Sequence, residues 1–405
     1  MRRRLTDHRA LCGKGELEEF SPWPEFPIDF TGKKGYNLQN LGRKSDSCSL
    51  PGAEEARLMG CDRKRRDFLR QSVCWGLGVL GLGHVAEPTG RPAARSMDRM
   101  ASQVPPDDTK SLVVICQDDR VRTSEGTIDK SVLSSMLNAA LQRLAGADTA
   151  HAAWRHFFKP DDVLGVKVNC LAGRGLSSHP ELVDVIVQQV QSARVKEENI
   201  IIWDRLTDDL TRAGFAINVN GRGVRCYGTD APGADYESRL TVIGSMGSRL
   251  SRILTRHCTA IINVPVLKDH SIAGVSVSLK NLFGAIDNPN KYHVNGCDPF
   301  VADVYSAKVV TAKSRFIICD ALTAQYEGGP SYMPHWTWDF NGLLVGTDPV
   351  AIDQVAYQII DEKRREKGMP ALADAGREPK YIATSADAHH RLGTNDPDRI
   401  EVIHL

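Results

Sequence analysis

The residues best equipped for chemistry fall between Lys268 and Asn281. The run Val264-Pro265-Val266-Leu267-Lys268-Asp269-His270-Ser271 leads on to Ser278-Leu279-Lys280-Asn281-Leu282-Phe283-Gly284. An apolar strand is followed there by two lysines, an acid, a histidine and an amide. Lysine is seldom buried without a partner, yet Lys280-Asn281 sits among Val275, Val277, Leu279, Leu282 and Phe283. Such a lysine either snorkels its ammonium to solvent or enters a polar pocket. In a pocket it holds an anion or serves as a tuned base. His270 and Lys280 are the candidate catalytic pair, with His270 as acid/base. Lys268 and Asn281 are candidate ligand-binding groups.

The pattern recurs at Lys167-Val168-Asn169, within Val163-Leu164-Gly165-Val166-Lys167-Val168-Asn169. Strand alternation turns Lys167 away from Val166 and Val168. It is then part of a solvated face, half of an ion pair, or a further pocket lysine beside Asn169. His179-Pro180 opens a helix, whose first N–H groups favour an anion. Asp269, His270 and His179 are the candidate metal ligands; no metal is named by the sequence.

The elements that must position these groups can be read from hydrophobic periodicity. Residues 111–116 (SLVVIC), 163–169 (VLGVKVN), 199–204 (NIIIWD), 260–266 (AIINVPV), 315–320 (RFIICD), 342–346 (GLLVG) and 399–404 read as strands. Two of them end in an acid, Asp204 and Asp320. Helices are expected over 128–145, with Asp129 as cap and Gly146 as stop, and over 179–193. Another runs from Asp348-Pro349 to about Asp361, with Asp348 as cap and Pro349 in the first turn. Alternating strands and helices imply an α/β fold, a mainly parallel or mixed sheet with helices on both faces. Sites in such sheets lie beyond the carboxyl ends of the strands. This body spans 109–405, with 109–250 and 251–405 as optional sublobes.

Composition removes several function classes. Lysine plus arginine number 51 against 50 acids, so there is no electrostatic case for nucleic acid. No stretch of eighteen apolar residues occurs, so no stable membrane span is expected. The ten cysteines include no C-x-x-C pair, which makes an iron–sulfur cluster or a zinc ribbon unlikely on sequence grounds. Several lie in apolar runs and read as small buried hydrophobes. Gly173-Arg174-Gly175 fits neither common phosphate-loop pattern.

The first hundred residues read as an address. Lys64-Arg65-Arg66-Asp67-Phe68-Leu69-Arg70 precedes a short glycine-rich apolar stretch, 73–83. Adjacent arginines before Phe and Leu mark a twin-arginine export signal over 59–86. Residues 1–58 read as a disordered or spurious extension, with Met59 as an alternative start, and 87–108 as a linker. The implied partners are the twin-arginine translocase and a small anionic ligand. The implied location is periplasmic or otherwise exported. That route carries folded proteins, often with a cofactor already inserted.

The ordered segments 165–169, His179-Pro180, 264–270, 278–286, 319–324 (CDALTA) and 346–353 (GTDPVAID) together resemble domain-of-unknown-function family 362. The resemblance covers about 110–405 and implies a mixed α/β domain. Some members carry a ferredoxin-like cysteine segment, which this chain lacks. The resemblance carries over Lys167, Asn169, His179, Lys268, His270, Lys280, Asn281, Asp348 and Asp353 as site positions; Asp348 has the alternative role of helix cap. Three functions fit: an exported enzyme with a Lys/His/Asn-lined pocket for an anionic ligand or cofactor, a non-catalytic periplasmic binding or scaffold protein, or a metal-binding redox partner.

Overall fold

The computed structural model describes residues 110–405. The signal segment, the extension, the linker and Cys12, Cys48, Cys61 and Cys74 lie outside the described residues. The strands are β1 (Ser111–Gln117), β2 (Leu164–Lys167), β3 (Ile200–Trp203), β4 (Arg225–Cys226), β5 (Thr241–Ile243), β6 (Met246–Ser248), β7 (Ala260–Asn263), β8 (Val266–His270), β9 (Gly274–Val275), β10 (Ser314–Gln325), β11 (Thr337–Gly346) and β12 (Ile400–His404). The principal helices are α1 (Lys130–Ala145), α2 (Ala150–Phe157), α3 (Pro180–Val190), α4 (Thr207–Ala213), α5 (Ser278–Asn281), α6 (Phe300–Tyr305), α7 (Lys308–Lys313), α8 (Pro349–Glu366) and α9 (Tyr381–Ala386).

One sheet runs β12-β1-β11-β10-β7-β2-β3-β4, with β8 beside β10 and β9 beside β8; β5 and β6 form a separate hairpin. Within the large sheet the pairings are parallel except β1–β11, β10–β11 and β8–β9. The fold class is therefore the expected α/β mixed sheet. Strands from both 109–250 and 251–405 share it. Both faces are covered, so strand residues alternate between two cores. Val113, Ile115, Ile201, Trp203 and Ile261 enter one; Val114, Cys116, Ile200, Ile202 and Ile262 enter the other. Double burial explains why these strands read as unbroken apolar runs. Cys116, Cys170, Cys226, Cys258, Cys297 and Cys319 are buried free thiols.

Local cap chemistry holds as expected. Asp129 accepts from the amides of Ser131 and Val132, and Gly146 ends α1 in the left-handed region at φ 58°. Asp348 accepts from Val350 and Ala351 N–H. Its helix continues past Asp361 to Glu366.

One boundary is corrected in a way that matters. The expected strand over 260–266 stops at Asn263, and a second strand, β8, begins at Val266. The long β10 pairs with both, through Ile317↔Asn263 and Asp320↔Val266. Lys268, Asp269 and His270 therefore lie in a strand, not in a loop beyond one. Strand alternation then sends Asp269 to the side opposite its two neighbours.

Candidate functional site

Three strand ends lie level. Lys167 stands opposite Trp203 of β3 and Asn263 of β7. Just beyond them a cavity of about 300 Å³ opens, lined by Lys167, Asn169, Lys268, His270, Lys280 and Asn281 among others. The structure thus brings together six of the ten positions expected from sequence.

The cavity's inner wall is a saturated hydrogen-bond array. The Lys167 ammonium donates to Val168 O at 2.7 Å, Asp204 Oδ1 at 2.7 Å and Asn281 Oδ1 at 3.3 Å. Asp204 also accepts the amides of Cys170 and Arg205. Asn281 donates through Nδ2 to Asn263 Oδ1 at 2.8 Å, and its Oδ1 accepts from Asn169 Nδ2 at 3.0 Å. Gly284 covers the ion pair closely: a Cβ there would lie 2.8 Å from both Asp204 Oδ1 and Lys167 Nζ.

The other two lysines are finished differently. Lys268 is 1% exposed, and its ammonium donates to Asn169 Oδ1 at 2.7 Å. Lys280 is also buried; its ammonium meets His293 Nε2 at 3.1 Å and lies 4.7 Å above the Phe283 ring. Neither forms a salt bridge with a carboxylate among the described residues. Burial pushes both down from the usual lysine value to about 8, and for Lys268 the Lys280 charge adds to the effect. Removing an ammonium from water without a carboxylate disfavours its charged form.

The two histidines have fixed tautomers. His270 Nδ1 lies 3.1 Å and 3.2 Å from the amides of Ile272 and Ala273. Amides only donate, so Nδ1 carries the lone pair and Nε2 the proton. Burial, then the Lys280 charge, push His270 down to about 2. The expectation of His270 as acid/base is therefore revised in role: it is a neutral N–H donor. Protonating Nδ1 would break two backbone hydrogen bonds. His293 is the mirror case. Its Nδ1 faces Pro289 O at 3.2 Å, so Nδ1 holds the proton and Nε2 accepts from Lys280. Burial and the Lys280 charge lower its pKa as well. The two rings stack at 5.5 Å.

The remaining expected positions lie elsewhere. His179 gives its backbone N–H to Asp320 Oδ2 at 2.7 Å, and its Nδ1 lies 2.9 Å from the same oxygen. The anion at that helix start is the chain's own carboxylate. Asp348 accepts from Ser111 Oγ and Thr394 N as well as from its helix. Asp353 is fully buried and accepts from Ser278 N, Ser278 Oγ and the Tyr381 hydroxyl, tying α5 and α9 to α8. Asp269 accepts from Gly329 N and pairs with Arg377 at 3.2 Å. As candidate metal ligands, Asp269, His270 and His179 do not converge. No cluster of three metal-ligating side chains occurs among the described residues.

Sequence reasoning missed three contributors. Asp204 stood out only as an acid ending a strand; its lysine partner was invisible without the register of β2 and β3. Asn263 is masked by an apolar run. His293 follows the short 3-10 turn Pro289–Tyr292, which has no periodic signal. No described helix is long and apolar enough to cross a membrane.

A family model described as Domain of unknown function (DUF362) matches residues 164–358. The match supports that family and contains all six segments that carried the resemblance. No curated protein matches the chain.

Proposed function

We propose that this chain binds a small organic anion, a carboxylate or phosphate ester, in the cavity between β2, β8 and α5. The observation that carries this reading is the pair of buried lysines, Lys268 and Lys280, that share the cavity with no carboxylate partner among the described residues. A buried unpaired ammonium is costly, and a bound anion removes that cost. His270 Nε2–H adds a neutral donor, and Asn169 holds Lys268 in place. Phe283, Ile272 and Leu171 are apolar parts of the lining and suit an organic substituent; its two carboxylates, Asp204 and Asp209, are paired with Lys167 and Arg212. Because burial lowers Lys280 to about 8 beside a neutral imidazole, the site also suits proton transfer by an amine. This favours an enzyme over a passive binder.

Calorimetric titration of the full chain with oxamate and with inorganic phosphate tests the reading. One of the two is expected to bind, with affinity at least about tenfold weaker in Lys268→Met and Lys280→Met, the loss of one charge-assisted hydrogen bond. Unchanged binding in both folded variants sinks it.

The proposal extends to location. The segment Lys64–Arg70 and the apolar stretch after it support delivery out of the cytoplasm by the twin-arginine translocase. A fusion of residues 59–108 to a folded fluorescent reporter should appear outside the cytoplasm. The double change Arg65→Lys and Arg66→Lys should retain it inside; equal export of both fusions would remove this part.

A further inference from the structure

We propose that Lys280 is a nucleophile that condenses with the carbonyl of a 2-oxo acid to form an imine. The inference rests on the anion-binding reading and names its substrate class. It stands on three features of the geometry and one of the substrate. Lys280 opens on the cavity and has no carboxylate to hold it as an ammonium. Its one hydrogen-bond partner among the described residues, His293 Nε2, is an unprotonated acceptor, because Pro289 O engages Nδ1. Lys268 and His270 Nε2–H line the same cavity and supply the two donors that a carboxylate requires. A 2-oxo acid places its carbonyl carbon one bond from that carboxylate, so an anchored carboxylate presents the carbonyl to a neighbouring amine. Burial lowers Lys280 to about 8, which leaves about a tenth of it as free amine at pH 7, and desolvation of a lysine is one way to activate this nucleophile.

The step balances within these groups. A proton leaves the Lys280 ammonium for His293 Nε2. The Nζ lone pair forms a C–N bond to the carbonyl carbon, and the C=O π pair moves to oxygen. A proton from nitrogen and the one held on His293 bring the oxygen to the level of water. As the C–O bond breaks and water leaves, the Nζ lone pair forms the C=N bond, and the product is a protonated imine that keeps the third lysine proton and its positive charge. No oxidant or reductant is needed.

The test is reductive trapping of the full chain with pyruvate and sodium borohydride, followed by peptide mass mapping. The expected result is a stable secondary amine on Lys280. It should be lost in Lys280→Arg, and in His293→Ala it should form at least tenfold more slowly at saturating pyruvate, a rate effect separate from any change in binding. Oxamate should protect Lys280, since it shares the carboxylate but carries an amide carbonyl that does not condense with amines. The wild-type map is decisive even where a variant fails to fold. Absence of an adduct, or adducts spread over exposed lysines with none on Lys280, overturns the inference. If oxamate binds while pyruvate is not trapped, imine chemistry falls and the anion pocket stands. If neither compound engages the cavity, both fall together.

Discussion

Two kinds of buried lysine line one cavity, and they are finished in opposite ways. Lys167 has three acceptors, one of them the carboxylate of Asp204. Lys268 has one amide oxygen, and Lys280 one imidazole nitrogen. The first arrangement closes the ends of β2 and β3 and keeps Asn281 in register. The second leaves donors facing an open cavity. Burial alone therefore does not separate a strut from a site; the number and charge of the acceptors does.

The strongest way to break this comparison is Asp204→Ala. It strands Lys167 with a buried, uncompensated charge and removes the acceptor for Cys170 and Arg205 N–H. Urea unfolding should show a loss of about 3–5 kcal/mol. A loss near zero would make Lys167 no different from its neighbours.

The next effect lies in pH. The Lys280 ammonium titrates near 8 in the folded chain instead of at 10.5. Between those values the unfolded chain binds a proton that the folded chain does not. Folded wild type should therefore gain stability relative to Lys280→Met as pH rises from about 8 to 10.5, by up to about 3 kcal/mol. Near pH 7 the variant should be as stable as wild type or more so, because it removes an unpaired buried charge. Unfolding curves of both proteins across this range provide the check; a flat difference would put that ammonium in solvent.

Gly284→Ala probes the strut from its other side. The added methyl meets both partners of the Lys167–Asp204 pair, and the midpoint of urea unfolding should fall by the equivalent of about 1–3 kcal/mol. Asn169→Ala is the mildest change. It removes the amide shared between Lys268 and Asn281 and should cost about 1 kcal/mol, read by the same denaturation, while its larger consequence falls on oxamate affinity.

Much of the frame was legible because it is written locally. Asp129, Gly146, Asp348 and Pro349 mark helix ends through chemistry confined to a few residues. The doubly buried strands announce themselves as apolar runs. The lysines stood out for a similar reason, as charges inside those runs. Their pairing did not, because Lys167 and Asp204 meet only through the register of two parallel strands. Nor did the break at Val264-Pro265, where an apolar run continues while the chain passes from one strand to the next. The role of His270 was hidden most deeply. Its neighbours in sequence invite an acid/base assignment, and only the amides of Ile272 and Ala273 on Nδ1 withdraw it. His179, Asp348 and Asp353 show the converse: polar side chains in family-like motifs whose oxygens and nitrogens are occupied by the chain itself.

The position of β1 bears on how the molecule is made. Its neighbours are β11, through Val113↔Gly346, and β12, through Val113↔Val402. Both are synthesised long after it. During translation the apolar segment Leu112–Cys116 emerges with neither edge paired and waits for most of the body to follow. Such distant closure slows folding and leaves an adhesive strand unprotected meanwhile. The sheet therefore closes only when β12, the last of the described strands, reaches β1, and until then β1 must be held apart from other chains.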